Sequence, residues 1–246
     1  MIRFAFCSLL AYRFPSTERR AADACLSRLI QQLSLCDAFL SVEAPWQDRL
    51  KAWTTKPSVL QSALSLNPSF AILVDCDVLF RDDFLARLAS FLNAVDPDEP
   101  FLSATVTHGL CHGLCGEAPP AISKEMPPEV IARLRISGIA DLTPSFWVSA
   151  SLVIASRGAR PFVNRWAALS ANLTGPADES SLIALLHQSD RDPLVRFVPT
   201  PPSLHSLYLG DGRFPDAAAV SLSANLDPQV WFRLAFSPEG LLFGRR

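Results

Sequence analysis

The chain has 246 residues, 49% of them hydrophobic and 19% charged, with a formal net charge of -2. That is enough apolar material for one large α/β core, and so weak a charge offers no basic face for nucleic acid. No apolar run approaches the length of a membrane span, and the early Ile2-Arg3-Phe4-Ala5-Phe6-Cys7 reads as a first strand rather than a signal peptide. The six cysteines, Cys7, Cys25, Cys36, Cys76, Cys111 and Cys115, are scattered unlike a secreted disulfide framework, so reduced thiols and a cytoplasmic location are expected.

In chain order, residues 2–8 form the first strand. Glu18 to Leu35 carry apolar residues at Ala21, Ala22, Cys25, Leu26, Leu29, Ile30 and Leu33, a helical period with Ser16 or Thr17 as its cap. Ala38 to Val42 make a second strand. Pro57 to Leu66 predict a helix with Pro57 in its first turn. Phe70 to Val74 is apolar throughout and reads as a strand buried on both faces, after which a helix runs from about Asp82, with Asp82-Asp83 as cap, to Leu92. Phe101 to Val106 follows as a strand. From Thr107 to Pro144 glycine and proline break the pattern, only Glu129 to Arg135 looks helical, and the segment reads as an acceptor-binding insert. Asp178 precedes an apolar helix through Leu182, Ile183, Leu185 and Leu186, with an N-cap as its plain structural role. The tail from Pro199 is loop-rich, with a last strand or helix near Val230 to Phe236. Alternating strands and helices predict one α/β, Rossmann-like domain over 1–246, with a mostly parallel central sheet flanked by helices. About 1–106 form its nucleotide-binding part and about 107–246 its acceptor-binding part.

The most informative stretch is Phe70-Ala-Ile-Leu-Val-Asp75-Cys76-Asp77, in which a buried strand ends in two carboxylates. Ligands of such sheets bind just beyond the carboxyl ends of the strands. Residues two apart in an extended segment face the same side, so Asp75 and Asp77 can address one hard cation, Mn2+ or Mg2+, that also holds a diphosphate. The βαβ order brings the end of the first strand, Ser8 to Arg13, to the same edge. A base can lie over that loop, where Tyr12 stacks on it or simply covers the sheet.

This spacing resembles the Asp-x-Asp motif of GT-A type nucleotide-sugar glycosyltransferases. Upstream, Trp53-x-x-Lys56-Pro57-Ser58-Val59-Leu60 is similar to the Lys-Pro helix that precedes that motif in several of these families. Downstream, Phe146 to Ile154, with Ser149, Ala150 and Ser151, then Arg160-Pro161-Phe162 and Trp166, resemble their Ser-Gly strand, arginine and tryptophan helix, although Ala150 or Ser151 stands where the glycine would be. Asp178-Glu179 resembles the acidic pair beside the reacting sugar carbon. The resemblance implies a GT-A-like fold and transfer of a sugar from a nucleotide-diphosphate sugar, a UDP-sugar favoured, to an acceptor hydroxyl. It gives Asp75 and Asp77 to the metal, Lys56, Tyr12 and Ser149 to the donor, and Asp178 or Glu179 to catalysis, with retention slightly favoured. No His-x-x-Gly motif follows, so His205, the only late histidine, is the candidate third ligand, against a plain loop residue.

Other readings stay open at this level. Asp75-x-Asp77 is also similar to the first motif of haloacid dehalogenase-type phosphatases, with Asp75 as nucleophile, although Leu79 stands where that motif has threonine or valine. A non-catalytic nucleotide-sugar binding module is the other. His108-x-x-Cys111-His112-x-x-Cys115 could hold zinc or lend a histidine to the acceptor, but its glycines, Gly109, Gly113 and Gly116, suit a loop. Trp147 and Trp166 are assigned to the core.

Overall fold

The computed structural model describes residues 3–11, 15–44, 49–109, 128–136, 146–173, 177–189, 194–207 and 216–222. Nine strands and six helices stand among them: β1 (Phe4–Ala11), α1 (Pro15–Ile30), β2 (Asp37–Ala44), α2 (Arg49–Ser65), β3 (Phe70–Val74), β4 (Val78–Phe80), α3 (Phe84–Leu92), β5 (Phe101–Gly109), α4 (Pro128–Ile136), β6 (Phe146–Ser156), α5 (Arg160–Ala171), α6 (Ala177–Ser189), β7 (Arg196–Pro199), β8 (His205–Leu207) and β9 (Ala219–Ser221). Six strands make the central sheet in the order β2-β1-β3-β6-β5-β7, and β4-β9-β8 make a small second sheet. Within the central sheet β6 alone runs against its neighbours, so the sheet is mostly parallel, as the alternation of strands and helices predicts.

Both faces of the central sheet are covered. Ala5, Cys7, Ala71 and Leu73 point to one side, where Leu60 and Leu64 of α2, Phe162 and Trp166 of α5 and Leu182 and Leu186 of α6 complete a core. Phe4, Phe6, Phe70, Ile72 and Val74 point to the other, against Leu26 and Leu29 of α1, Phe84 and Leu88 of α3 and the small sheet. This two-sided burial is why β3 reads as an unbroken apolar run instead of an alternating one. Each such fully buried Leu or Phe contributes about 1.5–3 kcal/mol.

Several boundaries differ from the sequence expectation. Helix α1 stops at Ile30, not Leu35, because Asp37 Oδ2 accepts from the Ser34 N–H (3.0 Å) and hydroxyl (2.7 Å) and holds a turn there. Leu35 is left fully exposed. Helix α2 begins well before Pro57, which lies in its interior and supplies no helical N–H to the Trp53 carbonyl. Asp83 occupies the N-cap place of α3 without a side-chain cap bond, since its Oδ2 accepts instead from Arg87 Nε at 2.7 Å. The edge where β3 begins is tightly closed. Gly158 N donates to Pro97 O at 2.9 Å, and a Cβ at Gly158 would fall 2.2 Å from Asp98 O, so only glycine fits between these loops. The expected helix at 129–135 is present as α4. The rest of the 110–144 segment apart from α4, and the element expected near Val230, lie outside the described residues.

Candidate functional site

The acidic pair follows β3 directly, but its backbone is not extended. Asp75 N donates to Ser151 O (2.8 Å), Val78 N returns to Asp75 O (3.3 Å), and the intervening residues form a turn before β4. The turn is fixed from the far end of the chain as well: Leu222, following β9, donates its N–H to Asp77 O at 3.1 Å.

Lys56 reaches into this turn from the middle of α2. Its ammonium lies 2.8 Å from Asp75 Oδ1, 2.9 Å from Asp75 Oδ2 and 3.2 Å from Asp178 Oδ2. The Lys56, Asp75 and Asp178 side chains keep only 11%, 24% and 7% of their exposure, so the triad is screened little by water. Burial alone would push the Lys56 pKa down, but the carboxylates of Asp75 and Asp178 outweigh it and hold the ammonium charged well above its ordinary range. Asp178 moves up, through burial first, against the pull of Lys56.

Asp77 differs from its neighbour. Its Oδ1 is buried and has no hydrogen-bond partner among the described residues, and its pKa is pushed up to about 7, by burial first and then by the Asp75 charge. A buried carboxylate oxygen with no donor is costly unless something positive arrives. That vacancy of partners, beside Asp75, fits a divalent cation.

Asp178 lies in the first turn of α6, not before it as a cap. Its carbonyl accepts from Trp166 Nε1 (3.0 Å) and from Ser181 Oγ (3.1 Å), and Ser181 is tied in turn to Ser170 (2.6 Å). The backbone under the carboxylate is thus held by a buried network that leaves the side chain for Lys56. Reading the sequence missed Ser170 and Ser181; the one signal for them was helical spacing, with Ser181 three residues after Asp178 and Ser170 four after Trp166. Glu179 Oε1 accepts from Ala150 N at 3.2 Å, beside a break in register where β5 and β6 pass from Ala104–Val153 to Thr105–Ser149. Ser149 sits in that break, buried, its hydroxyl donating to Ser151 Oγ at 3.0 Å. Lys56, Asp75, Asp77, Ser149, Asp178 and Glu179 therefore come together at the carboxyl edge of β3, linked by these contacts and by the Asp75–Ser151 backbone bond.

His205 is placed differently. It is wholly buried in β8 with Nδ1 against Thr105 Oγ1, its Nε2 has no partner among the described residues, and burial lowers its pKa to about 3. Among the described residues no three of His, Cys, Asp or Glu stand together as a metal-holding group, so the expectation of His205 as third ligand to Asp75 and Asp77 is not met there. Tyr12, Cys111, His112 and Cys115 lie outside the described residues. Trp147 and Trp166 are buried in the core, as assigned.

No protein-family model and no curated protein matches the sequence. Solved structures do match. A glycosyltransferase involved in the glycosylation of the major capsid of PBCV-1 is similar at 11% identity, over 95% of this chain and 98% of its own, with a TM-score of 0.57. The WbbM bifunctional glycosyltransferase is similar at 8% identity over 99% of this chain and 52% of its own, with a TM-score of 0.53. Mouse xyloside xylosyltransferase 1 also matches, at 8% identity and a TM-score of 0.47, over 92% of this chain and 99% of its own. Among the described residues no helix is long and apolar enough to cross a membrane. The α/β fold, with its six-strand central sheet flanked by helices, is that of these glycosyltransferase structures.

Proposed function

We propose that this protein is a metal-dependent glycosyltransferase that moves a sugar from a nucleotide-diphosphate sugar, a UDP-sugar favoured, to an acceptor hydroxyl. The observation that carries the reading is the convergence of Asp75, Asp178 and Lys56 in one buried cluster beside the partnerless Asp77 Oδ1, at the sheet edge where ligands of such folds bind. Asp75 and Asp77 would hold Mn2+ or Mg2+, completed by phosphate oxygens and water, and the bound ion supplies Lewis-acid neutralisation of the departing diphosphate.

The chain's own residues divide the remaining work. Lys56 offers a positive charge to a donor phosphate or ribose. Asp178, anchored through its carbonyl, presents a carboxylate to the positive charge that develops at the anomeric carbon. Its contact with the Lys56 ammonium at 3.2 Å favours the charged form against the burial that raises its pKa, and a carboxylate so paired suits electrostatic stabilisation. Retention, with the acceptor proton passing to a donor phosphate oxygen, is therefore the favoured stereochemical course. Glu179 and Ser149 line the adjoining wall through the β6 register break, Tyr12 belongs to the donor's base, and the 107–144 segment to the acceptor. Cys7, Cys25, Cys36 and Cys76 are free thiols, which suits the cytoplasm.

The test is a thermal-shift screen of UDP-, GDP-, ADP- and dTDP-sugars with and without Mn2+, followed by donor turnover on the best hit. The expected result is metal-dependent stabilisation by one nucleotide class and slow donor hydrolysis without acceptor. Stabilisation with no turnover would leave a binding module. Phosphate release from generic phosphoesters would turn the reading to a phosphatase using Asp75.

A further inference from the structure

Asp75 is not waiting for a cation; it already has one. Both of its oxygens contact the same ammonium, at 2.8 and 2.9 Å, and that ammonium spends its remaining contact on Asp178 at 3.2 Å. Asp77, two residues on, has a buried oxygen with no partner among the described residues. Because the ammonium engages both oxygens of Asp75, a divalent cation that takes Asp75 together with Asp77 meets the Lys56 charge at close range. Two like charges on one carboxylate repel strongly in a cleft so little exposed to water.

We propose that Lys56 is a tethered counter-ion occupying the cation seat of Asp75, and that a divalent cation gains Asp75 only by displacing the ammonium toward Asp178 and the donor's phosphates. The proposal rests on the reading that Asp75 and Asp77 take a divalent cation, and adds how that binding is regulated. The lysine stem is flexible and its second anchor, Asp178, is already in contact, so the displacement needs no change in α2. Cation alone must evict Lys56 and leave it one carboxylate poorer. Cation arriving with a nucleotide diphosphate brings anionic oxygens on which the displaced ammonium rests. Metal and donor therefore bind with positive coupling, each raising the affinity for the other by the same factor.

The test is a calorimetric titration with Mn2+ alone, without donor, of the wild type, Lys56→Met and the double variant Lys56→Met/Asp178→Asn. The double variant keeps the net charge of the cleft unchanged and leaves no unpaired Asp178, which guards against a fold failure of the single change. Both variants are expected to bind Mn2+ at least about tenfold more tightly than the wild type, and UDP is expected to improve Mn2+ affinity less in either than in the wild type. Equal or weaker Mn2+ binding by Lys56→Met would overturn the proposal. So would a gain seen in the single variant and absent from the double, since it would then reflect net charge and not release of Asp75. Mn2+ binding that Asp77→Ala abolishes but Lys56→Met leaves unchanged defeats displacement while keeping the metal reading; no Mn2+ binding by any of the proteins defeats both.

Discussion

Where β1, β2 and β3 begin, the chain consumes most of its own buried polarity, Arg160 Nε excepted. Asp37 Oδ1 accepts from Phe4 N at 3.1 Å while its other oxygen holds the Ser34 turn. The Ser156 hydroxyl accepts from Phe101 N (2.9 Å) and Ala159 N (3.2 Å) and donates to Glu99 O (2.6 Å). Where the same strands end, Ser8 Oγ, Asp77 Oδ1 and His205 Nε2 are buried without partners among the described residues. Native proteins leave few buried polar groups unsatisfied, and those that persist call for an explanation. One end of the sheet spends its polar groups on stability, and the other carries hydrogen-bonding capacity that the described residues do not use.

The largest effect that should separate the two ends is at Asp75 and Asp77. Alanine at either position is expected to remove Mn2+-dependent nucleotide-sugar binding, followed by calorimetry, and to lower turnover by about 10³-fold or more, with the fold retained by circular dichroism. Donor binding that keeps its metal dependence in both variants would move the site elsewhere. Next is Asp178→Asn, for which turnover should fall about 10²-fold while donor affinity stays within about threefold. Asparagine keeps the carbonyl that receives Trp166 and Ser181, so a purely structural Asp178 would tolerate the change. A loss under about tenfold, roughly 1.4 kcal/mol of barrier, would count against a role in the transition state.

The opposite edge should answer in the opposite currency. Ser156→Ala removes three hydrogen bonds from a fully buried hydroxyl and is expected to cost about 2 kcal/mol in chemical denaturation, with kcat unaltered. A fall in kcat at unchanged stability would dissolve the contrast.

The smallest effect is one of pH. Asp77 titrates near 7 in the folded chain against an ordinary 3.8, so without metal its contribution favours the folded state below pH 3.8 and is lost as pH rises through 7. Asp77→Asn should therefore raise metal-free stability at pH 8, by about 1–2 kcal/mol, and leave it nearly unchanged at pH 4. His205 works with the other sign: buried and neutral, it costs stability as pH falls from 6.5 toward 3, and it is expected to dominate acid unfolding once Asp77 is replaced. Urea midpoints across this range check both.

The stable end of the molecule was the more legible in sequence. Phe70 to Val74 announces itself because a strand buried on both faces has no polar residue to interrupt it, and α3 and α6 follow from apolar spacing. The site end was legible only where it touches such a strand. The first half of α2 escaped notice because it turns Thr54 and Lys56 inward, giving no apolar stripe, and because Pro57 looks like a helix start. Strands β4, β8 and β9 have three residues each, too short for a periodic signal and held together by pairing between distant parts of the chain. That Lys56 would join Asp75 to Asp178 depends on a helix orientation that spacing alone does not specify.

The hydrogen bond from Leu222 to Asp77 also sets an order of events. Strands β1 to β3 and the helices between them are contiguous, so their core can gather while later residues are still being synthesised. The acidic turn has no such independence, because Val78 pairs with Ser221 and the carbonyl of Asp77 waits for Leu222. Closing so long a stretch of chain is entropically slow and comes after local contacts have formed. A nascent chain can thus own much of its hydrophobic core and still lack a fixed Asp77, so the acidic turn is complete only once β9 has docked.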